Sequence, residues 1–551
     1  MRYVFILLLI SFSTWLFPME EKPFSAWAHF LASEIYRWQG KKEKGLEELQ
    51  KAYKEDPSSL YLKERLSYLL LKQGKREEAQ ILLEELQKEE GDKKSVYLML
   101  SLLYSQNGEE KKSLRIMNKA FRKFPHDPEI LLGLVEKYLR LKMRKKAEVL
   151  GNKLLLLSPS SEYLTSLGIL YLTYGMEKKG EEILLRVVNK DLKNYRALLS
   201  LGTYYEMKKK LEKAKEFYKR CLELNPFSPF LYFRIAAIDM ERRDWEEALS
   251  LYKVILLLRP KNTLALQQIA FIYLQKGKYE EAKDILLKIE SPSFYTFYLL
   301  ASVEFERGNL KEAEEWAGKA KKNNPKFPEV YALLASIKER DGKKRKAESI
   351  LLEALEKFSS PSKKSQVYLS LGLLYQELGK RDKSIQSFSR AKELSPDWDA
   401  PYFYLGAAYE RKGSWVRAVY NLRKAIELNP HNADALNYLG YMFADKGVRL
   451  KDAHKLIEKA LKLEPENAYY IDSLGWVFYR LGRLEDALRE IKKSLQLLSQ
   501  ENKDDAIIRE HLGDIYFAMG KEKEAIKAWR RALELDPENK EVKKKIEKAS
   551  K

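Results

Sequence analysis

Apolar and small residues recur along the chain with a fixed spacing, and the stretch Asp399–Asn432 shows that spacing most completely. Numbered from one, its apolar or small residues occupy places 4, 7, 8, 11, 20, 24, 27 and 32, namely Tyr402, Leu405, Gly406, Tyr409, Ala418, Leu422, Ala425 and Pro430. Spacings of three and four residues within each half predict two amphipathic helices. Gly413, at place 15, predicts the turn between them, and Pro430 predicts the end of the second helix.

The same 34-residue pattern continues through nearly the whole chain behind its first two dozen residues, and we count 15 units. It resembles the tetratricopeptide repeat (TPR), a helix–turn–helix hairpin whose tandem copies stack on one another. The resemblance implies an all-α protein in which TPR hairpins form a right-handed α-solenoid superhelix. Because one hairpin cannot bury its apolar face alone, each unit depends on its neighbours for a core.

The pattern divides the chain into four predicted regions. Residues 1–25 are a signal peptide or signal-anchor, residues 26–364 hold about 10 repeats, and residues 365–539 hold about 5. Residues 540–551 are strongly polar, as expected of a helix that caps a stack with its outer face in water. The division at 364/365 follows the polar stretch Ser359–Ser365, whose serines and proline favour a soft joint between hairpins.

The first residues carry a targeting signal. Met1 and Arg2 precede an apolar run of 15 residues, Tyr3–Phe17, and the polar sequence MEEK follows. The run is shorter than the roughly 20 residues that cross a bilayer as a helix, which favours an export signal. An uncleaved signal-anchor, which would attach the protein to a membrane, is the alternative, whereas the lack of a cysteine after the run excludes a lipoprotein-type anchor. We therefore expect an exported protein, in the periplasm or in a membrane-associated part of the cell envelope.

Two neighbouring units agree with that expectation. The unit Ala433–Asn467 has one inserted residue in its turn, GVRLKDA, and the next unit contains DSLGWV from Asp472 to Val477. This pair resembles a pair of units in exported bacterial TPR proteins, which implies a bacterial cell envelope.

Positive charge is abundant but spread over the repeats. The formal net charge is +21, and the densest run, Lys137–Lys153, has seven basic residues against Glu148 alone. We interpret most of this charge as solvated helix faces, which does not favour nucleic acid as a partner. The alternative is a basic solenoid that binds a polyanion, an anionic lipid surface or a cell-wall glycan, with Lys137–Lys153 as its centre.

Catalytic and metal-binding motifs are missing from the sequence. The five histidines fall in different repeats, and no phosphate-binding glycine motif or close metal-ligand spacing occurs; the histidines are His29, His126, His431, His454 and His511. The repeats leave no room for an appended enzyme domain. We therefore predict a protein that is not an enzyme, without cofactor or metal.

The resemblance also implies where partners bind. In TPR proteins the first helix of each hairpin lines a concave groove, and places 2, 5, 9 and 12 face a bound peptide. Carried over to this chain, these places give the candidate groove residues Phe230, Phe233, Tyr295, Tyr298, Phe305, Phe403, Asn437, Tyr441, Asp472, Trp476, Tyr479, Glu510, Asp514 and Phe517. Aromatic anchors beside hydrogen-bonding groups are typical of peptide grooves. The alternative is that the aromatic rings only pack between adjacent first helices.

The predicted function is thus a non-enzymatic TPR scaffold in a bacterial cell envelope. It would bind protein or peptide partners in its groove and assemble a multi-protein complex.

Overall fold

The computed structural model describes residues 21–89, 93–500 and 503–550, with side chains from Ser25 onward. Over these ranges the regular secondary structure is 31 α-helices, without a strand. In chain order the helices are α1 Glu21–Trp38, α2 Lys42–Glu55, α3 Leu60–Lys72, α4 Arg76–Glu89, α5 Lys94–Gln106, α6 Glu110–Lys123, α7 Pro128–Arg140, α8 Arg144–Leu156, α9 Ser161–Thr173, α10 Glu177–Lys190, α11 Tyr195–Met207, α12 Leu211–Leu224, α13 Pro229–Glu241, α14 Trp245–Leu258, α15 Thr263–Gln275, α16 Tyr279–Leu287, α17 Phe294–Glu306, α18 Leu310–Asn323, α19 Pro328–Arg340, α20 Lys344–Lys357, α21 Pro361–Glu377, α22 Arg381–Leu394, α23 Asp399–Arg411, α24 Trp415–Leu428, α25 Ala433–Asp445, α26 Leu450–Leu463, α27 Ala468–Arg480, α28 Leu484–Gln500, α29 Ala506–Ala518, α30 Glu522–Leu535 and α31 Lys540–Ala549.

The helices belong to two compact units, divided between Ile238 and Asp239 within α13. In the first unit, consecutive helices pack as hairpins from α1/α2 to α11/α12, and in the second from α15/α16 to α29/α30, followed by α31. Within each unit the second helix of a hairpin also packs on the first helix of the next, so the core runs continuously between neighbours. This all-α architecture of stacked hairpins confirms the predicted fold class.

Glycine forms the turn of most hairpins, as the pair α23/α24 shows, whereas Lys142, Lys209 and Arg243 take the left-handed conformation in three others. Gly413 has φ +77°, a left-handed conformation that L side chains disfavour. Its N–H donates to the carbonyl of Glu410 at 2.7 Å, and the N–H of Ser414 donates to Tyr409 at 2.8 Å. These two bonds satisfy carbonyls that the end of α23 would otherwise leave unpaired.

Close contact within a hairpin explains the small residue at place 8. A Cβ added to Gly406 would lie 2.7 Å from Cγ of Leu422, so no larger side chain fits without a shift. Ala418 and Ala425 of α24 are also fully buried; Ala418 belongs to the same core cluster as Leu422, and Ala425 packs with Tyr402 and Ala435. Places 8 and 24 thus meet within a hairpin, whereas place 27 also packs against the next repeat.

Asparagine side chains hold the junctions between hairpins. Asn432 accepts a hydrogen bond from the N–H of Ala435 at 2.8 Å and so caps the start of α25. Its amide also donates to Asp399 at 2.7 Å, and Asn429 donates to the same carboxylate at 3.0 Å. Since Asp399 begins α23, these bonds tie the first helix of one repeat to the first helix of the next.

The structure departs from the regular repeat pattern at two places, the start of α21 and the turn before α26. Helix α21 begins at Pro361 and runs for 17 residues, so the predicted division at 364/365 lies inside a continuous helix. The inserted residue before α26 is accommodated by Arg449, which adopts φ +50° and donates from Nε to Asp452 at 2.7 Å.

The start of the chain is described only from Glu21, where α1 begins. The apolar run Tyr3–Phe17 therefore lies outside the described residues. Among the helices that are described, none is both long and apolar enough to cross a membrane.

Candidate functional site

The predicted groove residues all lie on first helices, and the structure separates them into groups with different surroundings. In the first unit, α13 carries Phe230, which is 54% exposed, and Phe233, which is half-buried. A large exposed ring such as Phe230 is available to a partner without any rearrangement.

The aromatic residues of α17 are engaged in packing. The rings of Tyr295 and Tyr298 stack with centroids 6.0 Å apart, and Tyr298 meets Phe327 edge to face at 5.3 Å. Phe305 lies under the guanidinium of Arg340, 5.2 Å from the ring centroid. These contacts join α17 to the following repeat.

Phe403, on α23, is also held by neighbouring rings. It meets Tyr404 at 5.0 Å and Tyr438 of the next first helix at 5.9 Å, both edge to face. Packing between first helices therefore accounts for its position.

The C-terminal first helices bring four rings into one cluster, made of Tyr441, Trp476, Tyr479 and His511. The indole of Trp476 stacks on the imidazole of His511 at 4.1 Å and on the ring of Tyr479 at 4.7 Å. Tyr441 lies 6.2 Å from His511. Helices α25, α27 and α29 each contribute to this aromatic cluster, so three successive repeats build it together.

A buried carboxylate fixes the histidine of the aromatic cluster. Nδ1 of His511 lies 2.9 Å from Oδ1 of Asp472, and both residues are buried. Burial opposes a charge on His511, but the charge and hydrogen bond of Asp472 raise the pKa of the imidazole, with help from Asp514 and Glu510. The raised pKa extends the pH range over which the imidazole is charged and pairs with the Asp472 carboxylate.

Two buried polar atoms on α25 and α27 have no hydrogen-bond partner within the described chain. They are Nε1 of Trp476, a donor, and Oδ1 of Asn437, an acceptor. The Trp476 side chain is only 7% exposed. Unpaired buried groups of this kind are costly and uncommon in native proteins, so each of them calls for an explanation.

Four carboxylates affect the pKa of the Tyr441 hydroxyl. Burial raises its pKa, and four charges raise it further, those of Asp445, Asp472, Glu510 and Glu410. These acids come from α23, α25, α27 and α29, so successive first helices contribute to one acidic field.

Glu510 and Asp514 hold a cation from the same chain. Nζ of Lys545, on α31, donates to Glu510 at 2.6 Å and to both oxygens of Asp514 at 2.8 and 2.7 Å. Burial opposes the charge on Lys545, but these bonds raise the pKa of its ammonium, while burial raises the pKa of Asp514. Trp529 completes the site by donating from Nε1 to Asp514 at 3.0 Å. Phe517 lies beside it, 41% exposed.

Sequence reasoning missed His511 and Lys545. The histidines fall in different repeats of the sequence, yet stacking places His511 beside Asp472, 39 residues earlier. Asp472 is at place 5 of its repeat and His511 at place 6 of the next. A comparison of neighbouring places in successive repeats was the signal that could have found this pair.

Two residues of the basic run Lys137–Lys153 are engaged in contacts within the fold. Lys137 is 7% exposed, burial lowers its pKa, and its ammonium donates to Ser105. Arg140 pairs with Glu110 at 3.2 Å and with Glu136 at 2.8 Å. Part of the apparent local charge is thus used inside the fold.

Groups with catalytic potential are few in the part of the chain that is described. No cluster of three or more histidine, cysteine or acidic side chains there could hold a metal ion. Burial raises the pKa of the Cys221 thiol to about 11, so the thiol is protonated at neutral pH and is a poor nucleophile.

Comparison with known proteins gives matches to repeat families along the chain. Models of the tetratricopeptide repeat match residues 195–228 and 239–293. The model of the Psidin N-terminal TPR repeats region matches residues 33–165, and that of the cilia and flagella-associated protein 70 C-terminal domain matches residues 328–548. No curated protein matches the sequence.

Solved structures with a similar arrangement include the APC/C hetero-tetramer Cut9-Hcn1, at 15% identity and a TM-score of 0.45, covering 88% of this chain and 95% of that one. A tetratricopeptide repeat protein from Parabacteroides merdae is 20% identical with a TM-score of 0.40, covering 45% of this chain and 98% of that one. The hairpins, their turn glycines and the family models together identify the chain as a tetratricopeptide repeat protein.

Proposed function

We propose that the chain is a scaffold that binds an extended protein segment along the first helices α25, α27 and α29. TPR proteins are in general non-enzymatic scaffolds for protein–protein interaction. The observation that carries the proposal is the unpaired donor Nε1 of Trp476 and the unpaired acceptor Oδ1 of Asn437 in a buried aromatic setting. An extended peptide offers both complementary groups, because each residue of its main chain has one carbonyl and one N–H.

Binding of a main chain would remove a cost that the free protein carries. An unpaired buried polar group costs roughly 1–3 kcal/mol, and a segment that pairs with both groups recovers that free energy on binding. The stacked rings of Trp476, Tyr479 and His511 form a rigid base, so little side-chain entropy is lost when the segment docks.

Site-specific photocrosslinking in the native host tests this proposal. A benzoylphenylalanine in place of Phe517, which is exposed on α29, is expected to capture a defined partner protein. The matched control replaces Tyr420, which is 64% exposed on the second helix α24. Capture from both positions alike, or from neither, would contradict binding at these first helices.

We also propose a cell-envelope setting for this scaffold. The support is the apolar run Tyr3–Phe17 behind Met1 and Arg2, together with the DSLGWV unit that resembles exported bacterial TPR proteins. Fractionation of the native host with sequencing of the mature N-terminus tests it. A protein recovered from the cytoplasmic fraction with its first residues intact would contradict the proposal.

A second candidate function, binding of a polyanion or anionic surface, has one local feature in its favour. Lys145 and Lys146 line a shallow cleft of about 290 Å³ beside Phe121 and Tyr138, and Nζ of Lys153 lies 4.7 Å from the Phe121 ring. This function predicts binding to anionic vesicles or heparin that weakens steeply with added salt. Binding that is absent or insensitive to salt would rule it out.

A further inference from the structure

The acidic field around the aromatic cluster contrasts with the charge of the whole protein. Five carboxylates lie on the first helices that build this surface: Glu410, Asp445, Asp472, Glu510 and Asp514. Glu410 accepts a hydrogen bond from the hydroxyl of Tyr438 on α25 at 3.3 Å, and Asp445 is one turn after Tyr441 on α25. The imidazole of His511 and the ammonium of Lys545 oppose this negative charge. His511 is bound to one of these acids and Lys545 to two. The chain as a whole carries a formal charge of +21. A patch with excess negative charge on a strongly basic protein selects for cationic partners.

The other cations of these helices are directed elsewhere. Arg411 donates to the side chain of Gln376 in the preceding repeat at 2.6 Å. Arg480 lies against the turn at Gly447, where an added Cβ would be 2.4 Å from its Nη2. Neither arginine bonds to Glu410 or Asp445. The carboxylate of Asp445 is 4.0 Å from the ammonium of its neighbour Lys446.

Lys545 shows how this surface holds an amine. Its ammonium is bound by Glu510 and Asp514 through three hydrogen bonds of 2.6 to 2.8 Å, and Trp529 donates to one of the same carboxylates. The chain's own lysine therefore occupies one cationic position. Glu410, on α23, accepts a hydrogen bond from the hydroxyl of Tyr438, and Asp445 is on α25. Among the described residues, no lysine or arginine lies at hydrogen-bond distance from either carboxylate.

Two polar groups without hydrogen-bond partners also indicate a position for a ligand. Oδ1 of Asn437 is one turn before Tyr441 on α25 and needs a donor. Nε1 of Trp476, in a side chain more than nine-tenths buried, needs an acceptor. A ligand with cationic N–H groups and a nearby carbonyl supplies both, and a peptide that contains arginine or lysine has this chemistry.

We propose that the surface of Asn437, Tyr441 and Trp476, with the carboxylates Glu410 and Asp445, binds a basic segment of a partner protein. An arginine or lysine side chain of that segment packs on the tyrosine and indole rings and pairs with the two carboxylates. A main-chain carbonyl of the same segment accepts from Trp476. This inference rests on the proposed function and adds the chemistry of the partner to it.

Labelled peptides of one design test the inference by fluorescence anisotropy on the full chain. One Gly/Ser peptide carries several arginines, and its counterparts carry glutamates or glutamines at the same positions. The arginine peptide is expected to bind most tightly, although the net charge of +21 opposes it. Equal or tighter binding of the glutamate or glutamine peptide would overturn the inference.

Paired variants locate the site. The double variant Glu410→Gln/Asp445→Asn is expected to weaken binding of the arginine peptide about tenfold, since both partner charges are lost. The control, Asp382→Asn/Glu427→Gln, removes the same charge from exposed positions on the second helices α22 and α24, and is expected to leave binding nearly unchanged. Equal losses in both variants would overturn the assignment to this surface.

The outcomes separate this inference from the proposed function. If the glutamate or glutamine peptide binds and Trp476→Phe weakens it, segment binding by the first helices stands and a basic partner is excluded. If no peptide binds and the crosslinker at Phe517 captures no partner, both proposals fail. Thermal melts of each variant show whether the fold is retained.

Discussion

Nδ1 of His511 and Oδ1 of Asp472 lie 2.9 Å apart in the interior of the last repeats, although 39 residues separate them in sequence. The contact exists only because α27 and α29 stack, so it reports directly on the geometry of the proposed binding surface. His511 also supports the stacked ring of Trp476.

This pair predicts a specific dependence of stability on pH. Because the pKa of His511 is raised in the folded protein, its protonated form stabilises the fold below about pH 6.5, the ordinary pKa of a histidine in an unfolded chain. This contribution is lost as the pH rises through the pKa of His511 in the folded protein. The groups that act on the imidazole are Asp472, Asp514 and Glu510. Hydrogen exchange in α27 and α29, corrected for intrinsic rates, is expected to speed up from pH 6 to pH 9 relative to His511→Gln. Identical pH profiles for the two proteins would contradict the assignment.

Lys545 predicts a difference between two neighbouring lysines of α31. Lys545→Ala leaves Asp514 buried beside Glu510 without its cation, and we expect a loss of about 1–3 kcal/mol in local stability. Lys544→Ala removes an exposed lysine that bonds only Glu541, and we expect a change below about 0.5 kcal/mol. Hydrogen exchange of α30 and α31 distinguishes the two variants, and equal effects would show that the buried contact contributes nothing.

Glu304 predicts an acid-sensitive point in the middle of the second unit. It is fully buried, and Nζ of Lys283 lies 2.6 Å away and Arg307 2.9 Å away. Burial alone would raise its pKa, but hydrogen bonds from Lys283 and Asn309 lower it below the usual value. The ionised form therefore stabilises the fold above about pH 4.5, and that contribution is lost as the pH falls.

Substitution tests this carboxylate directly. Glu304→Gln is expected to destabilise the region by about 1–3 kcal/mol at pH 7 and to reduce its loss of stability in acid. Glu312→Gln, which removes a half-exposed partner of Lys283 at 3.3 Å, is the matched control. If the Glu304→Gln variant lost stability in acid with the same pH dependence as the wild type, the argument would be contradicted.

Two glycines predict opposite responses to the same substitution. Gly406→Ala brings a methyl group within 2.7 Å of Leu422, and we expect a cost of about 1–3 kcal/mol that Leu422→Ala partly relieves in a double-mutant cycle. Gly318 lies in α18 with open space around its Cα, so Gly318→Ala is expected to stabilise by about 0.5–1 kcal/mol. Local unfolding measured by hydrogen exchange checks both, and a stabilising Gly406→Ala would contradict the packing account.

The fold could be predicted from the sequence because each repeat encodes its own hairpin. Gly413 sets a turn, Gly406 allows a close contact with Leu422, and Asn432 caps the next helix, all within one period. The start of α21 at Pro361 escaped prediction because a proline is as suitable for the first turn of a helix as for a joint.

The candidate site was predicted only in part. Tyr441, Trp476 and Tyr479 were assigned by place, and the structure gathers them in one cluster. The partners His511 and Lys545 were missed because they depend on contacts between repeats, which a single-repeat pattern does not contain. The same pattern did not distinguish Phe305 and Phe403, which pack against neighbouring residues, from Trp476, whose donor is unpaired.

One measurement tests segment binding by α25, α27 and α29 most directly. The protein segment that the crosslinker at position 517 captures is titrated against the variants Trp476→Phe and Trp415→Phe, and its affinity for each is compared with that for the wild type. The first variant keeps an aromatic ring but removes the unpaired donor, whereas Trp415 lies on the second helix α24. We predict about tenfold weaker binding by Trp476→Phe, the loss of roughly one hydrogen bond, and unchanged binding by Trp415→Phe. Unchanged binding by Trp476→Phe would contradict the account.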